Sequence, residues 1–232
     1  MQNKKNLLYY GLQRSGTNYL HELLTSNFKV NLLNSDEDRA QPIQKHFRLY
    51  DDKEKVPEPK YLNDLHVSSY NQFMELTGLK VPIDGIIVIS KDPYSWYLSY
   101  CKWAKKCNWE KVNHHYIEEY NLFYAKWMEL SKESNTMHFI RYIDLLTDKN
   151  KILAQLKNKY QLTGHLSLKS IKSKILHTKF VPQSDKFTKS KNDYYVNQEY
   201  LQKLSADEIH TINEKLSDEL MSFLGYQKHK SL

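Results

Sequence analysis

Apolar and polar positions along the 232-residue chain fall into segments whose period switches between that of a strand and that of a helix. Asn6 to Gly11 is a short apolar run that reads as a strand, and helical spacing follows at Tyr19, Leu20, Leu23 and Leu24. Val30 to Leu33 is a candidate second strand. Asn34 to Pro59 is polar and broken by Pro42, Pro57 and Pro59, which predicts mostly loop. Leu62 to Thr77 carries a helical pattern that stops at Gly78, and Ile83 to Ser90 is the unbroken apolar run of a strand buried on both faces. Pro93 suits the first turn of a helix continued by Trp96, Tyr97, Tyr100 and Trp103. A further helix from about Asn113 to Ser131 turns Tyr116, Ile117, Tyr120, Phe123, Trp127 and Leu130 inward, a spacing that serves core packing.

Met137 to Arg141 reads as a short strand, and Tyr142 to Tyr160 as one or two helices. The Lys-rich stretch from about 161 to 200 is poorly patterned and predicts extended loop with one short helix. Ser205-Ala-Asp-Glu208 is a capping box, and the helix it opens buries Ile209, Ile212, Leu216, Leu220 and Leu224 before ending at Gly225. Strands alternating with helices predict an α/β fold around a mostly parallel sheet, organised as a single domain over 1–232.

Composition narrows the function classes. The longest strongly apolar run, around Ile86 to Ile89, is far short of the roughly 20 residues that span a bilayer. Lys4 and Lys5 precede too short an apolar stretch for a secretory leader, so a cytoplasmic protein beginning near Met1 is expected. Cys101 and Cys107 lie six residues apart in one predicted helix, a rise of about 9 Å that exceeds disulfide reach. No Cys and His cluster has metal-ligand spacing, and the neighbours His114 and His115 point to different helix faces. Net charge is +7, but 151–192 alone contributes +9, from ten lysines against Asp185. Such a segment is a solvated face or an attractor of anions.

The chemistry concentrates in the turn after the first strand, Gly11-Leu-Gln-Arg-Ser-Gly16-Thr17. In a strand-loop-helix turn the backbone N–H groups of Ser15, Gly16, Thr17 and Asn18 converge at a helix N-terminus, which is an anion site. The hydroxyls of Ser15 and Thr17 add donors. A Walker A loop would have the same glycine spacing, but Thr17 and Asn18 stand where it needs Lys and Ser/Thr. The basic residue of this loop is Arg14, one of only four arginines among 34 basic residues, and its planar fork can hold two oxyanion atoms at once.

The segment Tyr10-Gly-Leu-Gln-Arg-Ser-Gly-Thr-Asn-Tyr-Leu20 resembles the 5'-phosphosulfate loop of sulfotransferases that use 3'-phosphoadenosine 5'-phosphosulfate (PAPS). Further on, Ile86-Ile-Val-Ile-Ser-Lys-Asp-Pro-Tyr-Ser-Trp-Tyr-Leu-Ser-Tyr100 resembles the family's 3'-phosphate motif: a strand, a basic residue, Asp-Pro, and a serine eight positions beyond the basic residue. Lys91 and Ser99 hold those two places, with Lys91 where the family usually has Arg. Tyr19 occupies the position of an aromatic that stacks on adenine, Gln44-Lys45-His46 resembles the segment supplying the general base, and Arg141-Tyr-Ile-Asp-Leu-Leu146 resembles a late strand-to-helix segment. Core packing is the competing reading of Tyr19, and an exposed loop histidine that of His46.

The resemblance implies a three-layer P-loop-like α/β fold and in-line transfer of a sulfuryl group from PAPS to a hydroxyl on a saccharide or small molecule, with no metal required. Arg14, Ser15, Gly16, Thr17, Asn18, Tyr19, Lys91 and Ser99 would bind the nucleotide. Arg14 and the loop amides would stabilise developing charge, His46 would take the acceptor proton, and Lys45 would approach the bridging oxygen. Lys179, Lys186, Lys189 and Lys191 are candidates for a flap over the 3'-phosphate or for contact with an anionic acceptor. Two rival classes remain: a P-loop kinase or hydrolase with Asp92 as a metal-binding acid, and a basic nucleic-acid-binding module, which lacks here the interleaved aromatics of a stacking platform.

Overall fold

The computed structural model describes residues 4–35, 41–49, 67–107, 114–164 and 189–230. Its centre is a four-stranded sheet in the order β2-β1-β3-β4, built from β1 (Lys5–Tyr10), β2 (Val30–Leu32), β3 (Gly85–Ser90) and β4 (Met137–Arg141). All three pairings are parallel, with Leu7 opposite Gly85 and Ile86 opposite Met137. Parallel strands need crossover helices, and these cover both faces. β3 is buried along its whole length, which explains its lack of polar alternation.

Side-chain alternation on the strands separates two cores. Leu8, Tyr10, Ile86 and Val88 face α3 (Pro93–Lys106), α4 (Tyr116–Lys132), α8 (Ala206–Lys215) and α9 (Asp218–Leu224). Leu7, Tyr9, Ile87 and Ile89 face α1 (Thr17–Asn27), α5 (Tyr142–Thr147) and α6 (Lys149–Tyr160). The result is the three-layer α/β arrangement expected from the sequence. The first core is aromatic: the Tyr10 ring stacks on Trp127 at 4.4 Å, and Phe73 meets both edge-on. Such pairs add roughly 0.5–1.5 kcal/mol each beyond area burial.

Several boundaries differ from the sequence pattern, each through a local hydrogen bond. The helix expected over 62–77 is helical as α2 (Tyr70–Leu76); Ser69 accepts from the Gln72 amide and starts it there, while 62–66 lie outside the described residues. The segment 142–160, expected as one or two helices, is two, because Asp148 leaves helical geometry and caps α6 through the Lys151 amide. The helix expected from Ser205 to Gly225 is also two: Leu216 is extended, and Ser217 accepts from the Leu220 amide to open α9. Both halves still bury the predicted apolar residues, because the break turns α9 back toward the same core. In the Lys-rich region α7 (Lys189–Val196) is followed by a 3-10 turn, Glu199–Lys203. No helix among the described residues is long and apolar enough to cross a membrane.

Candidate functional site

The turn between β1 and α1 has the shape its glycines permit. The Ser15 amide donates to the Leu12 carbonyl at 3.1 Å, and Arg14 and Gly16 both take positive φ, 71° and 103°. Gly16 opens α1 with no side-chain cap and no acid in the first turn, so the first amides of the helix have no side-chain acceptor of their own. A Cβ on Gly16 would strike the Tyr142 ring; one on Gly11 would come within 2.5 Å of Ser15 Oγ and 2.7 Å of the Ile89 carbonyl. Only glycine lets the loop close this tightly.

Within the loop the side chains divide. Arg14 is exposed, with its guanidinium 5.1 Å from the centre of the Trp103 ring. Ser15 is fully buried, its hydroxyl tucked against Gly11 and beside that of Tyr124. Thr17 is buried and Asn18 half-buried in the first turn of α1. Gln13 is fixed from outside the loop, its carbonyl accepting from Trp96 Nε1 at 2.9 Å.

Across the sheet, Lys91 leaves the end of β3 into a buried position. Its Nζ donates to Ser99 Oγ at 2.8 Å and to the Tyr195 hydroxyl at 3.2 Å, and lies 4.5 Å and 5.7 Å from the Tyr195 and Tyr142 ring centres. Ser99 donates its own proton to the Ser95 carbonyl, leaving oxygen lone pairs toward the ammonium. Burial, reinforced by the charge of Arg14, pushes the Lys91 ammonium down to about 7, against the opposing pull of Asp92. That carboxylate is committed elsewhere: it caps α3 through the Ser95 amide, and its own burial pushes it up. Two cations that disfavour each other at the mouth of a glycine loop form a site that an anion stabilises.

The strand end beneath Lys91 is tied to α4. The Tyr120 hydroxyl donates to the Lys91 carbonyl at 2.8 Å, and the Tyr124 hydroxyl, one turn on, to that of Ile89 at 3.0 Å.

The segment 41–49 is clipped to the other side of the loop. The Gly11 amide donates to the Lys45 carbonyl at 3.1 Å, and His46 Nδ1 lies 2.6 Å from the Gly11 carbonyl. A carbonyl can only accept, so this contact requires the proton on Nδ1 and makes Nε2 the basic nitrogen of the neutral ring. Lys45 is buried beside it. His46 and the backbone of Lys45 thus meet Gly11 directly, and Lys91 with Ser99 is linked to Gly16 through Tyr142. Tyr19 is buried in the second core, its ring edge-on to Tyr142 at 6.2 Å.

Sequence reasoning missed Tyr195, Tyr142 and Trp96 as site residues. Tyr195 is one of 18 tyrosines and sits in the unpatterned Lys-rich region, so no local signal marked it. The resemblance of the segment from Arg141 did point to Tyr142's neighbourhood: Arg141 pairs with Asp144 at 2.7 Å and sets the turn that lays Tyr142 on Gly16. Lys179 and Lys186 lie outside the described residues, as do the side chains of Lys189 and Lys191. Among the described residues no group of three His, Cys, Asp or Glu side chains could hold a metal ion, and Cys101 and Cys107 are both free.

No family model matches the sequence, and no curated protein matches it. Among solved structures the chain is similar to mouse sulfotransferase SULT7A1 complexed with PAP, at 14% identity and a TM-score of 0.49, over 97% of this chain and 90% of that one. It is also similar to a sulfotransferase from Alicyclobacillus acidocaldarius, at 9% identity and a TM-score of 0.42, over 98% of both chains.

Proposed function

We propose that this chain is a sulfotransferase that moves a sulfuryl group from PAPS to an acceptor hydroxyl. One observation carries the reading: a single glycine loop is flanked by two separate cationic positions, Arg14 on its rim and the desolvated Lys91 against Ser99. A nucleotide with anionic groups at both its 5' and 3' ends matches two positions. A triphosphate concentrates its charge at one end and calls for the loop lysine that Thr17 replaces. Asp92, which the kinase alternative needs as a metal ligand, is occupied in capping α3.

When bound, PAPS supplies an activated sulfuryl group on a stable bisphosphate leaving group. In this reading the first amides of α1 and Arg14 would hold the 5' end and Lys91 with Ser99 the 3'-phosphate, while Tyr19, packed in the second core edge-on to Tyr142, would meet the adenine only from that buried position. Charge developing at the 5' end would be met by Arg14 and amides already oriented, which needs no reorganisation during transfer. His46 Nε2 would accept the acceptor's proton, its Nδ1–H held by the Gly11 carbonyl. Buried Lys45 is the second cation on that side. Since side chains and amides meet the ligand's charges, binding is expected to be independent of metal. The acceptor class carried by the sequence resemblance is a saccharide or small-molecule hydroxyl.

Calorimetry with adenosine 3',5'-bisphosphate against ATP plus magnesium tests the donor half. The bisphosphate should bind the wild type without metal, and Arg14→Ala and Lys91→Ala should each weaken it; preference for ATP with magnesium would overturn the reading. His46→Ala should keep bisphosphate affinity and lower turnover by roughly 100-fold or more, the scale of general-base catalysis.

A further inference from the structure

Arg48 lies two residues beyond His46, where the 41–49 segment leaves the glycine loop. Its Nη2 donates to Glu119 Oε2 at 2.7 Å and to the Tyr100 hydroxyl at 3.1 Å. Tyr100 donates to the same carboxylate oxygen at 3.1 Å, and His114 Nε2 sits 2.9 Å from the other. Both ends of this ion pair are buried, with side-chain exposures of 7% for Arg48 and 2% for Glu119. Burial works against the Glu119 charge, yet Arg48 and His114 hold its carboxyl below the usual range.

A buried ion pair is a poor way to gain stability, because apolar residues of similar volume commonly do as well or better. What this one does have is position. On its near side, the backbone of 45–48 carries His46. On its far side, Tyr100 stacks on Trp96 at 4.7 Å, and Trp96 holds the carbonyl of Gln13, the neighbour of Arg14. One continuous network therefore touches both the segment carrying the base and the loop carrying the arginine. The contacts of 41–46 described above tie that segment to β1 and Gly11, and Tyr10 adds one more through the Pro42 carbonyl at 2.9 Å. Arg48 is its polar anchor on the helical side.

We propose that Arg48 and Glu119 are positioning residues that fix His46, in its Nδ1–H form, relative to the Arg14 loop. The inference rests on the reading of His46 as the base, but its first readout does not depend on turnover. In protein labelled with ¹⁵N-histidine, the His46 signal, assigned by its loss in His46→Gln, should show Nδ1 protonated and Nε2 unprotonated above the imidazole pKa. Arg48→Met and Glu119→Gln should each shift it toward a mixture of tautomers. In the same variants kcat should fall on the order of 100-fold, the cost of misplacing a reacting group by about 1 Å. Bisphosphate affinity should be unchanged, and Arg48→Lys should recover part of the loss.

If a single variant fails to fold, Arg48→Met combined with Glu119→Leu removes both charges together and should fold while still showing the mixed tautomer. Variants that melt earlier yet keep the wild-type His46 tautomer and wild-type kcat would overturn the proposal and leave the pair as packing. If His46→Ala retains full turnover, the base assignment fails, and the tautomer measurement still decides whether the pair positions the ring.

Discussion

Lys91 Nζ and Ser99 Oγ lie 2.8 Å apart, with the lysine at the end of β3 and the serine two turns into α3. The contact closes across the start of the helix, so the ammonium is held inward, away from solvent. Its depression from 10.5 to about 7 follows from that placement, with Arg14 adding to it.

Anion binding should consequently take up protons. Near pH 7.5 part of the Lys91 population is neutral, and a bound 3'-phosphate would restore its charge. Calorimetry of the bisphosphate in buffers of different ionisation enthalpy should show uptake that disappears in Lys91→Arg, whose guanidinium stays charged. Affinity should fall as pH rises through about 7 and beyond. Equal uptake in wild type and Lys91→Arg would contradict the assignment.

The same depression has a sign for folding. Between about 7 and 10.5 the unfolded chain binds a proton at this lysine that the folded chain has released, so this group's contribution to stability rises with pH across that window. Below pH 7 the full cost of burying the charge is present. Denaturant melts of Lys91→Met against wild type should show the variant gaining most at pH 6 and least near pH 10.

Gly16→Ala should be damaging twice over. Its φ of 103° disfavours any Cβ, and the added methyl would meet the Tyr142 ring. Backbone strain of this kind costs about 1–3 kcal/mol, and relieving it opens the loop. Urea melts should show the loss, and bisphosphate binding should fall further than stability alone explains.

Trp96→Phe keeps most of the stacking on Tyr100 but removes the indole N–H from the Gln13 carbonyl. The expected cost is about 1–2 kcal/mol of stability, together with weaker bisphosphate binding because the carbonyl beside Arg14 is no longer held.

Ser217→Ala separates stability from binding. It deletes the cap that opens α9, far along the chain from the loop, and should cost about 1 kcal/mol. Melting should move while bisphosphate affinity stays at the wild-type value.

The two stretches proposed to hold the donor were legible in the sequence as candidates because each is local. Gly11, Arg14, Gly16 and the first turn of α1 sit in one stretch of chain, and Lys91 and Ser99 are joined by one helix whose spacing fixes their approach. The parallel sheet was legible for a similar reason: buried β3 advertises itself as an unbroken apolar run. What stayed hidden is tertiary. Tyr195 approaches Lys91 from more than 100 residues away, and Glu119 reaches Arg48 across 71 residues. Neither leaves a trace in periodicity. The helix break at Ser217 was missed because an apolar pattern continues through it, and a single cap hydrogen bond outweighs the pattern there.

Glu119 and Tyr120 are successive residues of α4: the first holds Arg48, and the second holds the carbonyl of Lys91. The two halves of the site therefore share one ruler, set by a rise of about 1.5 Å and a rotation of about 100° per residue. Inserting one residue between them would swing one grip away by about 100° while the other stayed, so a change in the pitch of that helix would uncouple Arg48 from the end of β3.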